Sequence, residues 1–519
     1  MRWLAAALVC ALTPLMPLTP LAPLGPGTAA PSPSAVVVPT GAGAVRGSVH
    51  EGYRLFQGIP YAAPPVGALR WAPPRPAAPW RGVRDATRPG PACAQAAGEV
   101  PGGSTSEDCL YLNVTAPLDA TAGRPRPVIV WLHGGGFTSG AGNSYDAHRM
   151  AVEGDEVVVS VNYRLGALGY LAHAGLPGSG TFGLADQQAA LRYVRDTIGA
   201  FGGDARKVTL AGQSAGSYAV CAQLASPSAA GLFQRAIMQS GACTGGPARP
   251  FAPYAVAPAV ARAAGSKLVD AVGCAGAGDV LGCLRRVPVP RLLAAQGADA
   301  QPSYGTPLLP LDPAEAVTSG RVARVPVLMG ANHDEGTIWA AGLMTAAISV
   351  TPANWPDVAG EFAPDPARAD DVVRAYPVRG ADGGPVFGAV IGDAEYACPA
   401  LRTGSLLAAH QTVWRYEFAD PAPPRPTPAP PPFPLGATHT TELPYLFDLG
   451  GRPREMTEGQ HRLADVMIGY WTRFARFGDP NGGGAPHWSR SQVQGLAPDR
   501  TGPVRPGAAH HCALWATMP

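Results

Sequence analysis

Lysine is all but missing from this 519-residue chain: only Lys207 and Lys267 occur, and arginine carries the remaining positive charge. With 39 basic and 37 acidic residues the formal charge is +2, and the basic residues are dispersed along the chain. There is no basic stripe to follow a phosphate backbone, which argues against a nucleic-acid surface. Long polar or single-sign runs are also missing, so bulk disorder is excluded. Neither C-x-x-C nor H-E-x-x-H occurs, and two common frames for a metal site go with them. No internal repeat is found. Beyond the first 30 residues no apolar run is long enough to span a bilayer. No metal or organic cofactor is therefore expected.

What is present is an apolar fraction of 46%, ample for a large core. The N-terminus has the plan of an export signal: Arg2, an apolar stretch from Trp3 to Leu15, then the small residues Gly27-Thr28-Ala29-Ala30. Residues 1–30 are read as a signal peptide, and 31–519 as one exported, secreted domain. Lipid anchoring at Cys10 is disfavoured, because Val9 stands where a small residue is wanted. Eight cysteines remain after the signal, at 93, 109, 221, 243, 274, 283, 398 and 512. An even number in an exported chain points to disulfides.

Short apolar runs recur, each followed by a glycine-rich turn. They include Val128–Leu132, Glu156–Val161, Val208–Ala211, Ala236–Gln239 and Val325–Gly330. Leu184 to Ile198 has apolar residues near helical spacing. Continuous apolar strands alternating with helices predict a mostly parallel sheet covered on both faces. Pro421 to Pro434 reads as a stiff surface loop, because "TVWRYEF" before it and "LPYLFDL" after it are both strand-like.

One turn carries more. "VTLAGQSAGS" (208–217) sets Ser214 between Gly212 and Gly216, after a strand and before a helix-like run. A glycine-rich turn is the plain reading, and a nucleophile elbow the sharper one. A serine nucleophile needs a base, an orienting acid and N–H donors for the oxyanion. Upstream, "HGGGF" (133–137) follows a strand, so Gly135 and Gly136, with Ala215 after the serine, are the expected donors. Downstream, "MGANHDEG" (329–336) offers Asp334 and Glu335, and position alone does not choose between them. Among later histidines, His410, His461 and His487 have ordinary surface readings, while His439 in "LGATHTTELPYLF" suits a base.

These residues closely resemble the type-B carboxylesterase family, which also contains the cholinesterases, and within it the bacterial para-nitrobenzyl-esterase-like proteins. "FQGIPYAAPPVGALRW" (56–71), "EDCLYLNV" (107–114) and the block 183–217 carry the resemblance. It implies an α/β-hydrolase fold and a Ser–His–Glu triad of Ser214, His439 and Glu335. The implied substrate is a small-molecule ester, hydrolysed by a protein expected to be a monomer. It also implies the disulfides Cys93–Cys109, Cys274–Cys283 and Cys398–Cys512, and leaves Cys221 with Cys243. Arg70–Glu107 and Arg164–Asp186 resemble structural ion pairs of the family. Asn113-Val114-Thr115 matches a glycosylation sequon but falls in an expected core strand.

The departures bear on substrate. Cholinesterases place a tryptophan in the first disulfide loop to hold a quaternary ammonium, and none of Trp, Tyr or Phe lies between Cys93 and Cys109. The family's usual glutamate before the nucleophile is Gln213 here. Ser217 and Thr440 replace common glycines, which would crowd the site slightly.

Overall fold

The computed structural model describes residues 34–176, 178–245, 254–297, 300–345, 349–363, 366–380, 382–425 and 430–518. Residues 1–30, expected to be a signal peptide, lie with Cys10 outside the described residues.

The alternating apolar runs become one large sheet. Its first part is antiparallel through β1 (Ala35–Thr40), β2 (Gly43–Val49), β3 (Tyr53–Pro60) and β5 (Tyr111–Pro117), with the short β4 (Val83–Asp85) parallel to β2. The centre holds β6 (Arg126–Leu132), β8 (Val157–Val161), β9 (Gly203–Gln213), β10 (Arg235–Gln239), β11 (Val327–Asn332), β12 (Val413–Phe418) and β14 (Val493–Leu496). They lie in the order β8-β6-β9-β10-β11-β12-β14, every neighbouring pair parallel. β15 (Thr501–Val504) closes the far edge antiparallel to β14. A separate pair joins β7 (Tyr145–Asp146) to β13 (Asp448–Leu449).

Both faces of the central strands are covered, and the side-chain alternation shows it. Val128, Val130 and Leu132 of β6 pack into one core, with Leu210 of β9 and Met238 of β10. Ile129 and Trp131 face the other, with Ala211 and Ile237. The second face is roofed by the helix Glu458–Phe477, which inserts Leu463, Met467, Trp471 and Phe474. Each such apolar side chain contributes about 1.5–3 kcal/mol on full burial. Helix Phe182–Thr197 occupies the stretch whose periodicity predicted it, and packs on the first face through Leu184, Leu191 and Val194.

One expected strand is corrected. In "LPYLFDL", Leu443–Tyr445 is a 3-10 turn and only Asp448–Leu449 is extended. Pro444 has no N–H for a ladder, and Leu443, Tyr445, Leu446 and Phe447 all bury in the second core instead of alternating.

The four disulfides form as expected, Cys221–Cys243 included. Arg70 grips Glu107 through two bonds of 2.5 and 2.6 Å. Arg164 holds the buried Asp186 through two bonds of 2.7 Å. Asn113 is engaged between strands, accepting from Gly58 N at 3.1 Å and donating to Ser160 Oγ at 3.1 Å. Among the described residues no helix is long and apolar enough to cross a membrane, and no cluster of side chains is suited to a metal.

Candidate active site

β9 ends at Gln213, and the helix Ala215–Ala225 starts two residues later, leaving Ser214 alone to turn the chain. It does so at φ +55° and ψ −124°, a conformation that L residues rarely hold. The flanking glycines make the turn sterically feasible. A Cβ on Gly212 would lie 2.5 Å from the Gly216 backbone, and one on Gly216 would lie 2.0 Å from Leu132 O. Ser214 N donates to Gln239 O at 2.9 Å, which ties the elbow to β10. Among the described residues the Ser214 hydroxyl has no hydrogen-bond partner.

The glycine loop after β6 lies against this elbow. A Cβ on Gly134 would approach Ser214 Cβ to 3.2 Å, and one on Gly135 would lie 2.3 Å from Ser139 O. Gly135 and Gly136 both have positive φ, +101° and +61°. Among the described residues, the N–H groups of Gly135, Gly136 and Ala215 make no hydrogen bond. His133 is fully buried, stacked on Tyr163 at 4.4 Å, and burial lowers its pKa to about 4. It is a neutral brace of the loop.

β11 delivers the acids. Glu335 is fully buried: Oε1 accepts from Asn332 N at 2.8 Å, and Oε2 lies 2.5 Å from His439 Nδ1. Asp334 points elsewhere, accepting from Ala437 N at 2.9 Å and meeting His333 at 3.0 Å. It braces the loop that carries His439. Of the two acids left open by position alone, it is Glu335 whose side chain meets His439. His410, His461 and His487 are exposed, away from this cluster.

With Nδ1–H directed to Glu335, the lone pair of His439 is on Nε2. The partner it meets there is Gln213 Nε2, at 3.2 Å. Trp339 and Tyr396 enclose the imidazole, with centroids 4.8 and 5.1 Å away. Behind them Glu442 accepts from Asn332 Nδ2 at 2.8 Å and Gln239 Nε2 at 3.3 Å, and Trp471 Nε1 donates to Gln239 Oε1 at 2.8 Å. Burial, with the nearby Glu335 charge, raises the Glu442 pKa to about 7.

Of the two glycine replacements, Ser217 does not crowd the site as expected. Ser217 is fully buried and turns its hydroxyl to Gly241 O at 2.7 Å, behind the elbow. Thr440 holds a backbone conformation at φ +76°, which costs a β-branched residue about 1–3 kcal/mol.

Glu442, Asn332, Trp339 and Tyr396 escaped the sequence reading. Each lies on a different segment, and only the fold brings them behind one histidine. The proximity of "NHDEG" to a strand end was the available signal for Asn332.

Comparison with known proteins agrees with the geometry. The profile of the carboxylesterase family matches residues 34–497. Para-nitrobenzyl esterase of Bacillus subtilis (strain 168) is 34% identical over 461 residues, covering 86% of this chain and 90% of that protein. Fumonisin B1 esterase of Sphingopyxis macrogoltabida is 35% identical over 487 residues, covering 88% and 84%. A solved PNB esterase superposes with a TM-score of 0.76 at 31% identity, covering 92% of this chain and 99% of that one.

Proposed function

The chain belongs to the carboxylesterase family and is a serine ester hydrolase, and from that premise we propose a mechanism built on Ser214, His439 and Glu335. His439 Nε2 takes the proton as Ser214 Oγ attacks the ester carbonyl. Glu335 holds the ring in its working tautomer and stabilises the imidazolium. The amides of Gly135, Gly136 and Ala215 receive the charge that develops on the carbonyl oxygen. The imidazolium then protonates the leaving alcohol and an ester to Ser214 remains. Water, deprotonated by His439, attacks that ester; the tetrahedral adduct collapses, the acid departs and the serine regains its proton.

The single observation that carries this reading is the 2.5 Å contact of His439 Nδ1 with the buried Glu335, on a ring whose Nε2 meets Gln213, the residue before the strained serine. Before substrate arrives Nε2 engages Gln213, so the serine hydroxyl must swing toward the ring as the complex forms, in keeping with catalytic contacts that tighten on binding. We propose further that the mature chain is a single exported domain. The four disulfides support an oxidising compartment.

A small-molecule ester is the proposed substrate. Amides, carbamates and polyesters share the chemistry and differ in the pocket walls they need. A silent binding protein on the same fold is disfavoured by the assembled histidine–glutamate pair. Reaction with a fluorophosphonate, followed by peptide mass mapping, tests the assignment. The adduct is expected on Ser214, and a folded sample that takes up no reagent would support the binding protein.

A further inference from the structure

The helix Gly384–Gly392 runs into the helix Cys398–Ala408 through one wider turn, Asp393–Ala397, which the Cys398 N–H closes on Asp393 O. That closure makes it a π turn, a rare form that is frequent at functional sites. All five of its residues are buried. Its Tyr396 ring stacks on Trp339, with centroids 5.3 Å and planes 15° apart. The two rings pack on the His439 imidazole at 5.1 and 4.8 Å. The helix before the turn lies backbone to backbone on the chain that follows Glu335. A Cβ on Gly336 would lie 2.5 Å from Gly392 N, and one on Gly392 would lie 3.5 Å from Glu335 N. The helical rod around the π turn thus meets both members of the Glu335–His439 pair.

The C-terminal segment grips this turn at both ends. At its first residue, Asp393 Oδ1 lies 2.5 Å from His510 Nδ1, and Oδ2 accepts from the Tyr376 hydroxyl at 2.7 Å. At the residue that closes it, Cys398 is bonded to Cys512. The second ring nitrogen of His510 lies 2.7 Å from Glu417 Oε1 on β12. Trp515 Nε1 donates to the Tyr376 hydroxyl at 2.8 Å, which adds a further tie between tail and turn.

With a carboxylate at each ring nitrogen, His510 donates in both directions, which the imidazolium alone can do. Burial opposes that charge, but Asp393 and Glu417 prevail. The His333 ring, bonded in turn to Asp334, stands 5.0 Å away. His510 is therefore a two-ended strut between β12 and the start of the π turn. Its loss would leave Asp393, which is buried, without its charged partner, a costly state that the turn must move to relieve.

We propose that His510 is a positioning residue for ester hydrolysis: from the C-terminal segment it fixes Asp393, and through the π turn it fixes the Tyr396–Trp339 wall that holds the His439 ring in its working orientation. This rests on the triad reading. The test is hydrolysis of p-nitrophenyl butyrate, with kcat expressed per serine titrated by a fluorophosphonate, so that unfolded molecules do not count. His510→Gln is expected to lower kcat about tenfold with KM within about twofold, the scale of a small misplacement of a reacting group. Tyr396→Ala should lose a similar factor, and the double variant should be little worse than Tyr396→Ala alone, because both act through one contact. Arg368→Ala, which removes two bonds to Thr517 near the chain end, should leave kcat unchanged. If His510→Gln does not fold, Tyr376→Phe, which removes the other bond to Asp393, takes its place in the same cycle with a severalfold loss expected. Wild-type kcat in the folded variant, losses that multiply in the double variant, or an equal loss in Arg368→Ala overturns this role and leaves the triad standing. Turnover that survives Ser214→Ala overturns the triad reading, and this role with it.

Discussion

Gln213 Nε2 stands 3.2 Å from His439 Nε2, the ring nitrogen that the proposed mechanism uses as its base. An amide there is neutral and donates to the lone pair. It neither favours nor opposes the imidazolium by charge, and it must give way when the serine hydroxyl approaches.

Replacing that amide by a carboxylate makes the first prediction. Gln213→Glu puts a negative charge within hydrogen-bonding reach of the imidazole, which favours its protonated form. The acid limb of the kcat/KM profile should therefore move to higher pH, by about one unit or more. A pH series on a neutral ester measures it. A limb that does not move would mean that the imidazole at 439 is not the titrating base.

The two neighbouring acids should separate cleanly. Glu335→Gln removes the charge that faces His439 Nδ1 and is expected to lower kcat by about 10³–10⁴-fold, the cost of a wrong tautomer in a triad. Asp334→Asn should leave kcat within tenfold, and cost about 1 kcal/mol of stability through its weakened bond to Ala437 N. Steady-state kinetics and urea melts on the two variants decide it. A reversed order would move the acid role to Asp334.

Stability should fall with rising pH in two separate windows. Burial raises the Glu442 pKa to about 7, so the folded state keeps a proton that the unfolded carboxyl loses near pH 4.3. That contribution is full below the unfolded value and lost as pH rises through 7. For His510, burial works against the charge, but ion pairs with Asp393 and Glu417 prevail and raise its pKa to about 10. Its contribution is full below about 6.5 and lost as pH rises through 10. Urea melts from pH 4.5 to 10 should show Glu442→Gln flattening the lower window and His510→Gln the upper one. Unchanged slopes in both variants would contradict these assignments.

Much of this was legible in the sequence, for reasons that are local. The elbow at Ser214, the glycines of 134–136 and the helix Phe182–Thr197 are written in contiguous residues, so spacing and composition reveal them. Cys221 and Cys243 could be paired by resemblance and remainder. The direction of Glu335 against Asp334 was not legible from position, because adjacent residues at a strand end differ only in which way the chain turns them. The groups behind His439 were hidden for another reason: Asn332, Glu442 and Gln239 are unremarkable residues far apart in sequence; the parallel register of β10 and β11 sets Gln239 and Asn332 at one end of the sheet, and Glu442 reaches both from the segment that follows His439. "LPYLFDL" misled because burial on every side produces the same apolar run as a strand.

The most direct test of the whole account is stopped-flow hydrolysis of p-nitrophenyl acetate by the wild type and by Ser214→Ala. The acyl-enzyme mechanism predicts a burst of nitrophenol approaching one equivalent wherever deacylation is slower than acylation. It also predicts loss of several orders of magnitude in kcat/KM in the variant. Wild-type turnover no faster than that of a folded Ser214→Ala sample would contradict it.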